Sequence, residues 1–225
     1  MTAVVFSGGG LFGAYQLGAW RVLAKHVKPD LVVGASIGSL NGWMVAGGAS
    51  PREMEQFWRA GSQTAWLRWR RPRTWRDGVL DPGPLHQMLQ QLHRHFTPRI
   101  PYACVMRRLP AMRAEVVRTP NVTWRHLAAS CALPLLFDAQ HWNGRTYIDG
   151  GVLNPLPLFA ARQLGATRII GINCMPWGGR WVRAVRVQPK WFLGTPRDLL
   201  RFDPGNHERW LAQGAADAEQ VLDRL

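Results

Sequence analysis

Ser36 stands in "GASIG", Gly34-x-Ser36-x-Gly38, directly after the apolar run "LVV" and directly before a helical pattern. That spacing is a nucleophile elbow. A sharp strand-to-helix turn holds the serine in a strained conformation with its hydroxyl exposed, and the flanking Gly34 and Gly38 let strand and helix pass close together. A serine so placed also sits at a helix N-terminus, where backbone dipoles stabilise negative charge. The chemistry is acyl transfer. It needs two further parts: amide N–H groups aimed at the oxyanion, and a proton acceptor for the hydroxyl.

The amides have a candidate source upstream, in "SGGGLFG", residues 7–13. Gly8, Gly10 and Gly13 also satisfy G-x-G-x-x-G, which raises dinucleotide binding. That reading requires an acidic residue at the far end of the second strand to hold the ribose hydroxyls. Asp30 precedes that strand instead, and Ser36 occupies the place where the carboxylate belongs. The loop therefore reads as an oxyanion loop made of Gly8, Gly9, Gly10, Leu11 and Gly13, with the amides around Gly9, Gly10 and Leu11 as donors.

Two residues compete for the base. The order Ser, acid, His of an α/β-hydrolase points to His207 in "DPGNHERW", the only histidine after "DGG". The other is Asp149 in "YIDGGVLNPLP", at the end of a strand, with Gly150 and Gly151 clearing space beside it. It shares the carboxyl edge with Ser36 if its strand is parallel. A carboxylate can act directly, more effectively when burial raises its pKa. A plain Asp-Gly turn accounts for the same residues, and the residues alone leave both readings open.

Alternating strand and helix signals position these groups. "AVVFS" (3–7), "DLVVGAS" (30–36), "YACVMRR" (102–108), "RAEVVRT" (113–119), "RTYIDGG" (145–151) and "ATRIIGIN" (166–173) read as strands, the third and fourth as a hairpin turning at Leu109 and Pro110. Helices are expected after the glycine loop, after the elbow, from "SPRE" (50–53), over 83–96 and from Thr123. Further ones are expected from an Asn154 cap with Pro155 at the first position, and over the last 20 residues. This is an α/β chain, three layers α/β/α around a mostly parallel central sheet, with ligands expected beyond the carboxyl ends of the strands.

Composition sets the limits. With 225 residues, 47% hydrophobic and 19% charged, the chain has the make-up of one globular domain over 1–225. It is too polar throughout for a spanning helix, and the first strand starts too early for a signal peptide. Cys104, Cys131 and Cys174 show no metal-ligand spacing and fit a reducing cytoplasm. The balance of 28 Lys+Arg against 14 Asp+Glu, net +14, and the 12 tryptophans favour anionic partners, either lipid head groups or nucleic acid.

"GGGLFG", "GASIG" and "DGG", in that order, together with "AASCALPLLF" (128–137) and "NPLPLFAARQLGATRIIGIN", resemble the patatin-like phospholipase family over about residues 3–175. The resemblance implies a Ser-Asp dyad without histidine: Ser36 as nucleophile, Asp149 as base and the glycine loop as oxyanion hole, acting on acyl lipids or phospholipids with no metal or organic cofactor. Phe12 stands where the family's loop often carries Lys or Arg. The excursion around 57–79 adds Trp58, Trp66, Trp69, Trp75, Arg70 and Arg71, a composition suited to peripheral contact with an anionic membrane from the cytoplasmic side. The basic C-terminal segment 175–225 repeats that character over 175–192. The rival readings are a His207-dependent esterase and an Arg/Trp-rich anion- or nucleic-acid-binding protein.

Overall fold

The structure is a computed structural model and describes residues 1–62, 68–72, 77–179, 181–201 and 203–225. β1 (Thr2–Phe6) ends in the glycine loop, whose 3-10 turn over Gly10–Phe12 leads into α1 (Gly13–Leu23). β2 (Leu31–Ala35) and α2 (Ile37–Ala46) flank Ser36. α3 (Pro51–Ser62) opens on the expected cap, with the Ser50 hydroxyl and amide both donating to Glu53. α4 (Pro82–His95) is capped by Asp81, which accepts from the Gly83 amide at 2.9 Å. β3 (Tyr102–Leu109) and β4 (Arg113–Arg118) form the expected hairpin. After them come α5 (Trp124–Ser130), β5 (Gln140–Trp142), β6 (Arg145–Asp149), α6 (Leu158–Gln163), β7 (Arg168–Ile172), β8 (Val185–Val187) and α7 (Pro204–Glu219).

The sheet is a parallel run, β3-β2-β1-β7-β8, with β4, β5 and β6 added antiparallel at the β3 end. Alternation along the strands divides the core. Val4, Phe6 and Val32 face the layer that holds α1, α2, α4 and α7, whereas Ala3, Val5, Leu31 and Val33 face the thinner layer built on α6. The three-layer α/β/α reading holds, with the layers unequal. α1 and α7 lie so close that a Cβ on Gly18 would come 2.0 Å from the Leu211 carbonyl oxygen, and one on Gly214 would come 2.0 Å from that of Tyr15. The Tyr15 hydroxyl donates to Asp217 at 2.8 Å across the same contact. The helix that follows the glycine loop is thereby fixed by the end of the chain.

Three expectations change. The helix expected from Asn154 begins only at Leu158, because Pro157 bars Leu156 from the helical region; residues 154–157 remain a loop. The three-residue strands β5 and β8 are too short to leave a periodic signal. β6 runs antiparallel to β3, not parallel.

The third change defines the site. β2 pairs with β3 along Tyr102–Val105, and β6 pairs with it along Met106–Leu109. β4 spans both stretches, so it occupies the opposite edge of β3. β2 and β6 therefore lie on the same edge of β3 and meet end to end. Ser36 follows Ala35, whose partner is Val105, and Asp149 is paired with Met106. Two strands arriving from opposite directions deliver their last residues to one point.

Candidate active site

Ser36 has φ 53° and ψ −132°, a left-handed conformation rarely adopted by a non-glycine residue, with α2 starting at the next position. The turn that imposes it is tight. A Cβ on Gly34 would come 2.2 Å from the Gly38 carbonyl oxygen, and one on Gly38 would come 2.4 Å from that of Ser7. Both elbow glycines are thus required by close backbone approach. Ser36 itself is half-buried.

Asp149 is 2% exposed, and the Ser36 hydroxyl and the backbone amides of Gly151 and Val152 lie beside its carboxylate and favour its ionised form. The Gly151 amide lies 2.6 Å from Oδ1. Burial pushes the carboxyl up to about 6, outweighing those polar neighbours and the charge of Arg107. The backbone around Asp149 is anchored as well: its amide donates to the Ala132 carbonyl at 2.9 Å, and that of Gly150 to the Ser130 carbonyl at 3.2 Å.

The glycine loop passes directly over Ser36, so that a Cβ on Gly8 would come 3.2 Å from the Ser36 Cβ and 3.4 Å from the Gly151 Cα. Its amides are not equivalent. Gly8 donates to Pro155 at 2.8 Å, Leu11 donates to Leu199 at 3.0 Å, and Gly13 turns back onto the carbonyls of Gly10 and Leu11. Among the described residues, the Gly9 and Gly10 amides make no hydrogen bond. The expected donor set therefore narrows, and Leu11 leaves it because a carbonyl already occupies its N–H. Phe12, at the position expected to be basic in the family, is buried edge-to-face against Trp210, with ring centroids 4.9 Å apart.

Several supporting residues escaped sequence reading. The Ser130 hydroxyl accepts from the Ser36 amide at 2.9 Å and donates to the Val105 carbonyl at 2.6 Å. Arg107 is buried behind Asp149, donating through Nε to the Val152 carbonyl and through Nη1 to that of Met112 at 2.8 Å. Gln16 donates to the Ser7 carbonyl at 2.6 Å, and Asn41 donates to Gln16 at 2.8 Å and to the Gly13 carbonyl at 3.1 Å. The "AASCALP" stretch contained Ser130, but nothing in its spacing revealed a partner 94 residues away.

Other nominated residues lie elsewhere. His207 is buried in the first turn of α7, with the charges of Arg59 and Glu55 on α3 and of Glu208 around it. No histidine hydrogen-bonds Ser36 or Asp149 among the described residues. Trp58 is not a surface anchor: it is buried, and its indole N–H donates to Asn41 at 2.8 Å. Trp69 and Arg71 are exposed, whereas Arg70 is tied to Asp138 and to the Gly78 carbonyl. Trp66 and Trp75 lie outside the described residues. No helix among the described residues is long and apolar enough to cross a membrane.

Comparison with known proteins bears on the fold and the family. Two solved structures share the fold. VipD from Legionella pneumophila superposes with a TM-score of 0.59 at 13% identity, covering 99% of this chain and 66% of that one. The type III effector ExoU superposes with a TM-score of 0.51 at 15% identity, covering 99% and 52%. Mouse patatin-like phospholipase domain-containing protein 6 is 31% identical over 191 residues, 76% of this chain and 13% of its own length. Lysophospholipase NTE1 of Mycosarcoma maydis is 27% identical over 184 residues, 76% and 9%. The chain thus spans only a small part of the curated relatives it matches. The model of the patatin-like phospholipase family matches residues 4–162, the stretch that holds the glycine loop, Ser36 and Asp149, and the chain belongs to that family.

Proposed function

We propose that the protein is a serine acyl hydrolase of lipids working through a Ser36–Asp149 dyad. The observation that carries this reading is the meeting of an elbow serine and a buried carboxylate at one point on the edge of β3, beneath a loop with two uncommitted amides. Asp149 takes the Ser36 proton as the serine oxygen attacks the acyl carbonyl. The amides of Gly9 and Gly10 hold the oxyanion, a contribution of about 3 kcal/mol for each donor in comparable sites. Collapse of the tetrahedral intermediate breaks the ester C–O bond, and the leaving alcohol takes the proton from Asp149. Water then gives a proton to Asp149 and attacks the acyl-enzyme; the fatty acid departs and Ser36 regains its proton.

Acyl lipids are the substrate class that the names of the relatives suggest, phospholipase and lysophospholipase. A groove of about 430 Å³ supports it, lined by Leu153, Leu156, Leu158, Phe159, Trp177 and Trp181 and adjoining Gly151 through Pro155. Peripheral contact with an anionic membrane belongs to the same reading.

The test is labelling with a fluorophosphonate, followed by mapping of the adduct. Ser36 is labelled in the wild-type protein, Ser36→Ala gives no adduct, and Asp149→Asn reacts much more slowly. A folded, unlabelled wild-type protein, with or without lipid vesicles, would sink the hydrolase reading. Loss of labelling in His207→Ala but not in Asp149→Asn would transfer the role of base to the histidine.

A further inference from the structure

Nine large apolar side chains are exposed among the described residues, and they are not scattered. Leu133 and Leu135 follow Ala132, whose carbonyl takes the Asp149 amide. Leu153 comes four residues after Asp149. Trp177 follows Cys174, against which a Cβ on Gly9 would collide at 2.6 Å, and its ring packs on that of Phe192 at 5.0 Å. Trp181 shares the groove with Leu153 and Trp177, and Trp191 adjoins Phe192. Even Trp69 is linked to this rim, because it bridges to Leu80, and the amides of Val79 and Leu80 donate to Leu135 and Leu136. Only Met1, at the opposite end of β1, stands apart.

A surface facing only water has no use for this arrangement. Leu135 and Leu153 are 79% and 77% exposed, and both are held at positive φ, 70° and 67°. Trp181 is fully exposed, and the loop that presents it is clamped by Arg186, which donates to the carbonyls of Gly179 and Val182 at 2.7 and 2.6 Å.

The charge beside the Trp177–Phe192 part of the patch is predominantly positive. From 175 to 201 the sequence carries six Lys or Arg and one acid, Asp198, which is engaged by Thr195 and lies near Arg201 and Arg209. Arg183, Lys190, Arg197 and Arg201 are exposed, and none forms an ion pair among the described residues. The Lys190 ammonium lies 5.9 Å from the centre of the Trp191 ring, so cation and aromatic ring present together.

We infer that the rim of the Ser36 mouth, carried by Leu135, Leu153, Trp177, Trp181, Trp191 and Phe192 with Arg183 and Lys190, docks on an anionic phospholipid bilayer. Indole rings and leucines enter the interfacial layer, while the cations hold phosphate head groups. Docked this way, the enzyme faces the bilayer with its groove and its serine, and a lipid tail enters without crossing water. The direction of the face rests on the lipid-hydrolase reading; the binding itself requires no turnover.

The experiment is co-sedimentation of the full chain with vesicles of phosphatidylcholine alone, or of phosphatidylcholine and phosphatidylglycerol in equal parts. The variants are Trp181→Ser/Leu153→Ser and Arg183→Glu/Lys190→Glu, all at exposed positions, with near-ultraviolet circular dichroism reporting their fold. The expected result is binding to the anionic vesicles, weakened about tenfold or more by either pair and weakened by salt. Failure of the wild-type protein to bind, or unchanged binding of both variants, overturns the inference. So does a concentration-dependent dimer that the same substitutions dissolve, since the face would then belong to a second copy. Ser36→Ala binds like the wild-type protein. Loss of fluorophosphonate labelling with intact vesicle binding would remove the hydrolase reading and leave the docking surface standing.

Discussion

Ser36 and Asp149 stand beside each other at the gap where β2 and β6 meet end to end along one edge of β3. Because the two strands run in opposite directions, each contributes its last residue, and neither side chain has to reach. A parallel β6 would have presented its other end to Ser36. The hairpin with β5 extends beyond the carboxyl edge of the parallel strands, and β6 then descends to the level of Met106.

The first consequence is a pH profile. In the proposed dyad Asp149 acts as base only when ionised, and burial places its carboxyl at about 6. The kcat/KM for a soluble ester is therefore expected to fall as pH drops through about 6, with a single acid limb. Arg107 lowers that value by its charge and holds the Val152 carbonyl of the same turn. Arg107→Met should move the limb upward by about half a unit to one unit, and Arg107→Lys should restore part of it. A limb that does not move in Arg107→Met would reduce the arginine to a backbone clamp.

A second prediction concerns stability. The Asp149 carboxyl is raised in the folded state to about 6, so the fold binds its proton more tightly than the unfolded chain does. Its ionisation costs the native state nothing below about pH 4, and progressively more as pH rises to about 6. Above that the penalty is full, about 3 kcal/mol. Asp149→Asn removes it while keeping an acceptor for the Gly151 amide. The variant should melt higher than wild type at pH 8, lose that advantage at pH 4, and be inactive at both. Equal melting temperatures at pH 8 would mean that the carboxylate is better solvated than its burial indicates.

The parts that the sequence made legible share one property: each is local. The elbow, the glycine loop and the caps of α3 and α5 are set by residues within a few positions of one another, and so were most of the strands. What stayed hidden depends on partners far along the chain. Ser130 matters because of Ser36 and Val105, Arg107 because of Val152, and Asn41 because of Gln16 and Trp58. Trp58 looked like a surface anchor because its neighbours are arginine-rich, yet one buried amide claimed its indole. The direction of β6 could not be read either. "RTYID" alternates equally well either way, and only its register on β3 fixes it.

Ser130 supplies a third test. Its hydroxyl is buried and bridges the Ser36 amide to the Val105 carbonyl, thereby tying the elbow to the strand end beside Asp149. Ser130→Ala leaves an N–H and a carbonyl without that partner, a loss of about 1–3 kcal/mol. The elbow then loses its fixed distance to Asp149, so kcat should drop about tenfold or more, with KM for a short ester little changed. Urea unfolding and steady-state kinetics on the same sample separate the two effects. A destabilised protein with wild-type kcat would make Ser130 purely structural.

The fourth prediction addresses Phe12, where relatives of this family often carry a basic residue. Here the ring is 2% exposed and packed edge-to-face on Trp210 of α7, while the Phe12 carbonyl accepts from the Cys174 thiol at 3.2 Å. The loop is therefore held by packing against the C-terminal helix. Phe12→Lys replaces an aromatic contact with an ammonium in a buried, apolar site, and should cost at least about 3 kcal/mol in urea. Phe12→Leu keeps the site apolar and should cost about 1–2 kcal/mol. If the rate depends on the loop's placement, both variants should lose kcat in the order of their instability. A stable, faster Phe12→Lys protein would show instead that this position can turn outward and lend its charge to the oxyanion, and that packing on Trp210 is dispensable.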